Sequence, residues 1–173
     1  MTTEMFVYRV LIDLHGNALV VLADEAAERL LHIYIGPFEA QAIARVLKDE
    51  QFERPLTHDL LSVVINTLGY QLQWVTITRL EDSTFFALLT LVEGSATVDI
   101  DARPSDAIAL ALRAGAPILV AEEVLDKAAI SATQMRDDAE EIERFKDLMS
   151  DINVPDSATD RDTPPSDESD RED

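Results

Sequence analysis

The chain has 173 residues, of which 47% are hydrophobic and none is cysteine. This composition suits one globular domain, and the lack of cysteine excludes disulfides, thiolate nucleophiles and zinc–thiolate sites. The 34 acidic residues outnumber the 14 basic ones, which gives a formal net charge of −20. Such a chain lacks the basic clusters from which nucleic-acid-binding proteins usually draw their affinity.

The sequence predicts a protein that does not cross a membrane. It contains no run of about 18 apolar residues, which a transmembrane helix would need. The first residues, MTTEMFVYRV, lack the basic region and apolar run of a secretory signal. We therefore expect the protein in the cytoplasm.

The N-terminal region predicts three strands. Apolar and polar residues alternate over 6–14, a turn follows at 15–17, and residues 18–22 return as the hairpin partner. Residues 30–35 form a third strand.

Two helices are expected next. Gly36 ends the third strand and Pro37 opens a helix over about 37–50, because proline is tolerated in a first helical turn. Thr57 is expected to cap a second helix over 57–68, which ends before a glycine.

The middle of the chain predicts a three-stranded antiparallel meander over 71–80, 85–92 and 96–100. A third helix over 104–114 follows, with a short apolar strand at 117–120. The third helix is apolar on every side, so we expect it to be buried at the centre of the fold.

The C-terminal region differs from the rest in composition. Residues 134–153 show an apolar stripe at helical spacing on a charged background, which predicts an amphipathic helix. Residues 154–173 are acidic with few apolar side chains, and we expect them to be disordered. The globular domain is therefore predicted over 1–133.

Together the elements predict an α+β fold, in which three helices pack on a mixed, largely antiparallel sheet. A shift of 65 residues aligns residues 35–47 with residues 100–112, with five identities, and each segment is predicted as a strand end, a break and a helix rich in small residues. Either a duplication into two related βα units or chance similarity between alanine-rich helices accounts for this match.

Polar residues are concentrated where the third helix begins, in DARPSDAIALALR at 101–113. Charges beside a buried helix are costly unless they are paired or used. Asp101 and Asp106 are of the type that binds Mg²⁺ or Mn²⁺, the usual cations of phosphodiester cleavage. The structural alternative is that Asp106 interacts with the helix dipole while Arg103 pairs with a neighbouring acid.

A second polar group, His58 and Asp59, lies in PLTHDLL at the start of the second helix. Histidine titrates near neutral pH and acts as a general base when a partner fixes its tautomer. Adjacent helical residues point about 100° apart, so Glu39 or Asp106 is a better partner for His58 than Asp59. The alternative is a first-turn histidine without a chemical role.

Three segments in this order, IGPFEAQAIA (35–44), THDLL (57–61) and DARPSDAIALALR (101–113), resemble the bifunctional nuclease domain family of bacteria and plants. The resemblance covers roughly residues 5–130. It implies hydrolysis of RNA and DNA, with nucleic acid as the partner, but it carries no agreed set of catalytic residues.

The resulting hypothesis is a metal-dependent nuclease. Glu39, Asp101 and Asp106 are expected to bind Mg²⁺ or Mn²⁺, since bound cations would offset the repulsion between this acidic chain and a polyanion. Arg103 would hold the scissile phosphate, and His58 with Asp59 would move protons. The alternative is a non-enzymatic binding or regulatory domain that forms homo-oligomers, which the acidic surface favours.

Overall fold

The computed structural model describes residues 1–13, 15–50 and 52–131. The predicted amphipathic helix at 134–153 and the predicted acidic tail at 154–173 lie outside these residues. In chain order the elements are β1 (Thr2–Ile12), β2 (Ala18–Ala23), β3 (Arg29–Ile35), α1 (Pro37–Leu47), α2 (Thr57–Thr67), β4 (Gln71–Glu81), β5 (Thr84–Glu93), β6 (Ala96–Ala102), α3 (Pro104–Ala114), β7 (Ile118–Ala121), α4 (Glu122–Ala128) and β8 (Ala129–Ser131).

The strands form one sheet in the order β6-β5-β4-β7-β1-β2-β3-β8. Only β4 and β7 are parallel among the described neighbours, and the other pairs are antiparallel. The predicted α+β fold with a mixed, largely antiparallel sheet is therefore confirmed. None of the helices in the described part of the chain is long and apolar enough to span a membrane.

The fold contains two units of the same element order. In each, a three-stranded meander is followed by a helix: β1-β2-β3-α1 and β4-β5-β6-α3. The first strand of each unit pairs with β7, so the units flank this strand in the sheet. Both helices begin with a proline after an extended residue, and Pro37 and Pro104 are 67 positions apart. The two units thus share an element order, and their helices start two residues further apart than the shift of 65 in the sequence match.

The central helix α3 is buried along most of its length, as its composition predicts. Its residues from Ala107 to Ala111 are all buried, and they join one apolar core with side chains of the sheet. α1 and α2 both pack against α3. This packing brings the first turns of α1 and α2 alongside α3.

Several predicted boundaries differ from the observed ones. α1 ends at Leu47 instead of residue 50, because Asp49 adopts a left-handed conformation with φ of 53°. The predicted cap at Thr57 is wrong, since Thr57 is the first residue of α2. The Asp59 carboxylate caps the helix instead, accepting a hydrogen bond of 2.8 Å from the amide of Leu56.

The N-terminal strand begins earlier than the alternating pattern indicates. β1 starts at Thr2 because residues Thr2 to Met5 pair with β7, a partner more than one hundred positions away in the chain. The short elements α4 and β8 have seven and three residues, and no periodic pattern predicts them.

Candidate functional site

The candidate site is built from the first turns of three helices. Glu39 is the third residue of α1, His58 is the second of α2, and Asp106 is the third of α3. Arg103 precedes α3 and contacts two of these helices. These four residues are called the polar cluster below. Helix N-termini carry partial positive charge, so this arrangement favours anions.

Arg103 connects the carboxylates of the cluster. Its Nη2 lies 2.7 Å from Glu39 Oε1, and its Nε donates to Asp106 Oδ2 at 2.7 Å. These bonds raise the pKa of Arg103, first through Asp106 and then through Glu39. The Arg103 side chain nevertheless stays 66% exposed, so a ligand in solvent can reach its guanidinium.

His58 pairs with Asp106, one of the two partners expected in place of the adjacent Asp59. The distance from His58 Nε2 to Asp106 Oδ1 is 3.0 Å. Burial opposes ionisation of Asp106, but hydrogen bonds from Arg103 and His58 outweigh it and lower the pKa of the carboxyl. An ionised carboxylate only accepts hydrogen bonds, so Nε2 of His58 is the donor to Asp106. The cluster thus contains a histidine whose ring orientation is fixed by a carboxylate.

Asp59 faces a different partner. Its Oδ1 accepts a hydrogen bond of 2.5 Å from Nε of Arg113, whose side chain is only 9% exposed. Burial raises the pKa of Asp59, but the hydrogen bonds from Arg113 and the Leu56 amide lower it by more. The pKa of Asp59 is therefore lowered overall. Arg113 also donates to the carbonyl oxygen of Ala109 at 2.8 Å. These contacts join α2 to α3 beside the polar cluster.

Asp101 lies apart from the cluster. It is exposed on β6 and stands opposite Leu88 of β5. Its neighbour Ala102 packs against the helix-covered core, and alternate strand residues point to opposite faces, so Asp101 points away from the helices. Among the residues that the structure describes, no three histidine or acidic side chains are grouped to hold a metal ion.

Arg103 lines two neighbouring cavities. A cavity of about 610 Å³ contains the rest of the cluster together with Arg45 and Arg113. A cavity of about 940 Å³ lies on the other side of Arg103, between the end of β3, the start of α3 and the β4–β5 turn. We call these the charged cavity and the large cavity.

Two features of the site are not predicted from the sequence. Arg113 stands 54 positions from its partner Asp59, and only its position at the end of an apolar helix marks it as a charge that needs a partner. The large cavity has no local signal, because its lining comes from turns and strand ends that lie far apart in the chain.

Comparison with known proteins identifies the class to which this fold and site belong. The family model of the bifunctional nuclease domain matches residues 20–133. An uncharacterized protein of Mycobacterium tuberculosis is 37% identical over 163 residues, which is 88% of this chain and 96% of that protein. The chain belongs to the bifunctional nuclease domain family, as its three motifs predict.

More distant relatives come from plants. Bifunctional nuclease 1 of Arabidopsis thaliana is 28% identical over 106 residues, which is 60% of this chain and 33% of the plant protein. The bifunctional nuclease of Oryza minuta is 25% identical over 107 residues, or 60% of this chain and 32% of that protein. The aligned part of this chain therefore covers about a third of the length of these nucleases.

Proposed function

We propose that this protein hydrolyses phosphodiester bonds of RNA and DNA at the polar cluster. The observation that carries the proposal is an exposed guanidinium, Arg103, next to a histidine that a partly buried hydrogen bond to Asp106 orients. The names of the plant relatives describe those proteins as nucleases. Membership of the same family supports this chemistry here.

The first role in the proposal is phosphate binding by Arg103. A guanidinium presents a planar set of donors that matches two oxygens of a phosphate. Nε and Nη2 of Arg103 now bind Asp106 and Glu39, so an incoming phosphate competes with these carboxylates for the same donors. Negative charge that develops on the phosphate during hydrolysis would then face a fixed cation, which stabilises the transition state.

The second role is proton transfer by His58. Its Nδ1 is the basic nitrogen, because Nε2 donates to Asp106. In the proposed reaction Nδ1 removes a proton from the attacking water as the water oxygen bonds to phosphorus and the bond from phosphorus to the leaving ester oxygen breaks. The Asp106 carboxylate stabilises the imidazolium that forms, and this proton then neutralises the leaving oxygen. Asp59 is not part of this step, since it binds Arg113.

The proposal includes a divalent metal ion that would neutralise the charge of the carboxylates. Glu39 and Asp106 supply the oxygen donors that Mg²⁺ and Mn²⁺ prefer, and Mg²⁺ often binds through one or two carboxylates plus substrate phosphate. Both carboxylates lose their counter-ion when Arg103 turns to a phosphate. A cation bound there would neutralise them and the phosphate together.

Two matched variants test the site. Asp106→Asn removes a member of the cluster, whereas Asp101→Asn removes an acid of the same type that lies outside it. Cleavage of labelled single-stranded RNA and DNA is measured with Mg²⁺, with Mn²⁺ and with EDTA. We expect Asp106→Asn to lower the rate by about 100-fold, in the range of general base losses, and Asp101→Asn to leave it unchanged.

Cleavage that persists equally in both variants would indicate a contaminating nuclease and would refute the proposal. A loss in Asp101→Asn as large as in Asp106→Asn would move the site to β6. EDTA should abolish activity if a metal screens the carboxylates, and activity that survives EDTA would remove the metal from the proposal.

The exposed face of α2 favours a second candidate, a binding or regulatory domain that forms homo-oligomers. No residue of this helix is buried, and it presents large apolar side chains to solvent at Leu60, Leu61, Val63 and Val64. Contiguous exposed apolar surface often marks an interface. Light scattering should then show an oligomer for the wild type and a smaller species for Val63→Lys. A wild type that scatters as a monomer would refute this candidate.

A further inference from the structure

The large cavity is lined by both units of the fold, and each unit supplies corresponding parts. One part is the turn of the first hairpin, with residues 15–18 in one unit and 83–85 in the other. The other part is the start of the helix, with residues 36–37 and 103–105. The N-termini of α1 and α3 therefore border the same cavity. Helix N-termini carry partial positive charge and unpaired amides, so this placement favours an anion.

Ser105 provides a polar group that the fold itself does not use. It is the second residue of α3, lines the large cavity and is only 6% exposed. Its hydroxyl has no hydrogen-bond partner among the described residues, whereas Thr90, which is also buried, donates to Asp99 at 2.7 Å. Among the described side chains, His32 Nε2 is the one fully buried nitrogen or oxygen atom without a partner. The Ser105 oxygen therefore reaches solvent, in the cavity that this residue lines.

Arg103 leaves one nitrogen of its guanidinium for the large cavity. Its Nε and Nη2 bind Asp106 and Glu39, which belong to the described lining of the charged cavity only. Nη1 has no partner among the residues that the structure describes, and Arg103 lines both cavities. A phosphate at Nη1 would displace neither carboxylate, in contrast to a phosphate at Nε and Nη2. One guanidinium thus offers donors to two neighbouring phosphates.

One carboxylate, Asp13, also lines the large cavity, but its own turn supplies its hydrogen bonds. Oδ1 accepts bonds of 2.8 Å from the amides of His15 and Asn17, and Oδ2 accepts one of 3.0 Å from the Asn17 side chain. The side-chain bond from Asn17 is the largest of the effects that lower the pKa of Asp13. These donors offset part of the charge, so Asp13 opposes an anion in the cavity less than a free carboxylate would.

We propose that the large cavity is a second phosphate subsite, in which Ser105 and Nη1 of Arg103 bind the phosphate next to the scissile one on a nucleic-acid strand. The inference rests on the proposed function of the polar cluster, in which the scissile phosphate binds Nε and Nη2. The Ser105 hydroxyl and amide and the guanidinium would each donate to a phosphate oxygen, since an amide in the first helical turn lacks a helical partner. The favoured substrate class is therefore a strand with at least two consecutive phosphates.

Three single-stranded dinucleotides test the subsite. Each has one internal phosphodiester bond, and they carry no terminal phosphate, a 5′-phosphate or a 3′-phosphate. Dissociation constants are measured by titration calorimetry in EDTA. One of the two terminal phosphates should tighten binding to the wild type about tenfold, the gain expected of hydrogen bonds to a charged group. Ser105→Ala should remove most of this gain, because it deletes the hydroxyl donor.

Ser62→Ala is the matched control, since Ser62 is a helical serine of α2 that lines neither cavity. It should keep the tenfold gain. The thermal midpoint of Ser105→Ala separates ligand binding from a structural role. It should match that of the wild type, because the hydroxyl makes no hydrogen bond in the described part of the fold. A clear loss of stability would show that the fold uses the hydroxyl and would overturn its assignment to a ligand.

The binding measurement and the cleavage assay fail independently. Equal affinity of the wild type for the three dinucleotides, or a gain that survives in Ser105→Ala, would overturn the subsite. A gain that depends on Ser105, without cleavage of any oligonucleotide, would support the phosphate subsite and refute the nuclease proposal. Cleavage of oligonucleotides without any effect of a terminal phosphate on affinity would support the nuclease proposal and overturn the subsite.

Discussion

The two arginines at the ends of α3 have the same type of partner and very different surroundings. Arg103 stands before the helix, binds Glu39 and Asp106, and has a side chain that is 66% exposed. Arg113 lies in the last turn, binds Asp59, and is 9% exposed. Both ion pairs connect α3 to a neighbouring helix.

Burial decides what each pair contributes. Breaking a buried pair leaves a charge without water or partner, so the Arg113–Asp59 pair should hold α2 against α3. Arg103 contributes less to stability because water competes for its exposed guanidinium, whereas its partners Glu39 and Asp106 are only 16% and 28% exposed. Arg103 is therefore free to exchange its carboxylates for a ligand at small cost, which is what a phosphate-binding residue requires.

The largest expected effect is on catalysis. Arg103→Lys keeps the charge but loses the planar pair of donors, so kcat/KM should fall about 100-fold, as when one donor of a transition-state charge is removed. Steady-state cleavage of a single-stranded substrate measures this. The corresponding change Arg113→Lys should keep most of the activity of the molecules that remain folded. Equal losses of kcat/KM in both variants would contradict the claim that Arg103, and not Arg113, binds the phosphate.

The next largest effect is on stability. Arg113→Met should lower the free energy of unfolding by about 2 kcal/mol, less than for a fully buried pair because Asp59 is 35% exposed. Arg103→Met should cost about 1 kcal/mol or less. Urea denaturation gives both values from the transition midpoint and slope. A larger loss for Arg103→Met than for Arg113→Met would show that the exposed pair is the structural one.

Acid should weaken both pairs. The pKa values of Asp59 and Asp106 are lower in the folded chain than in the unfolded one, so the unfolded state binds more protons at low pH. Their stabilisation is complete above the unfolded pKa of about 4 and is lost as pH falls through the folded values. The unfolding midpoint is measured from pH 5 to 2.5, and with falling pH it should decrease less steeply in Asp59→Asn than in the wild type. The same slope in this variant as in the wild type would contradict the assignment.

A smaller pH effect is expected far from the site, at His32. Burial, and then the charge of Arg9, lower its pKa, and its buried Nε2 has no hydrogen-bond partner among the described residues. The unfolded state therefore binds a proton at His32 more readily than the folded state does. The free energy of unfolding should fall as pH drops below about 6.5. The thermal midpoint between pH 7.5 and 5.5 should decline by a few degrees in the wild type and less in His32→Leu. An identical decline in both proteins would exclude His32 as the source.

Sequence patterns predict the parts of this molecule that depend on local periodicity. The strands of the meander and the buried helix α3 follow from apolar spacing. The angle between adjacent helical residues correctly disfavours Asp59 as the partner of His58, but it leaves Glu39 and Asp106 as alternatives. Each of these depends on a few neighbouring positions. Two units of the same element order are also present, whereas a duplication that relates them stays a prediction.

The parts that sequence patterns do not predict depend on long-range geometry. Asp101 stands two positions before Arg103, but the face on which a strand residue lies is set by how the whole sheet packs. The pairing of Asp59 with Arg113 joins two helices whose crossing is decided by the core between them. The early start of β1 likewise requires β7 from the other end of the domain.

The most direct test of the account is the affinity of single-stranded oligonucleotides in EDTA, since Arg103 is proposed to exchange Glu39 for phosphate. Glu39→Gln removes the competing charge and should tighten binding severalfold, whereas Arg103→Met should weaken it about tenfold or more. Glu123→Gln, a change of an exposed acid on α4, controls for net charge and should have little effect. Opposite shifts in the first two variants are the predicted result. Weaker binding in Glu39→Gln, or unchanged binding in Arg103→Met, would contradict the account.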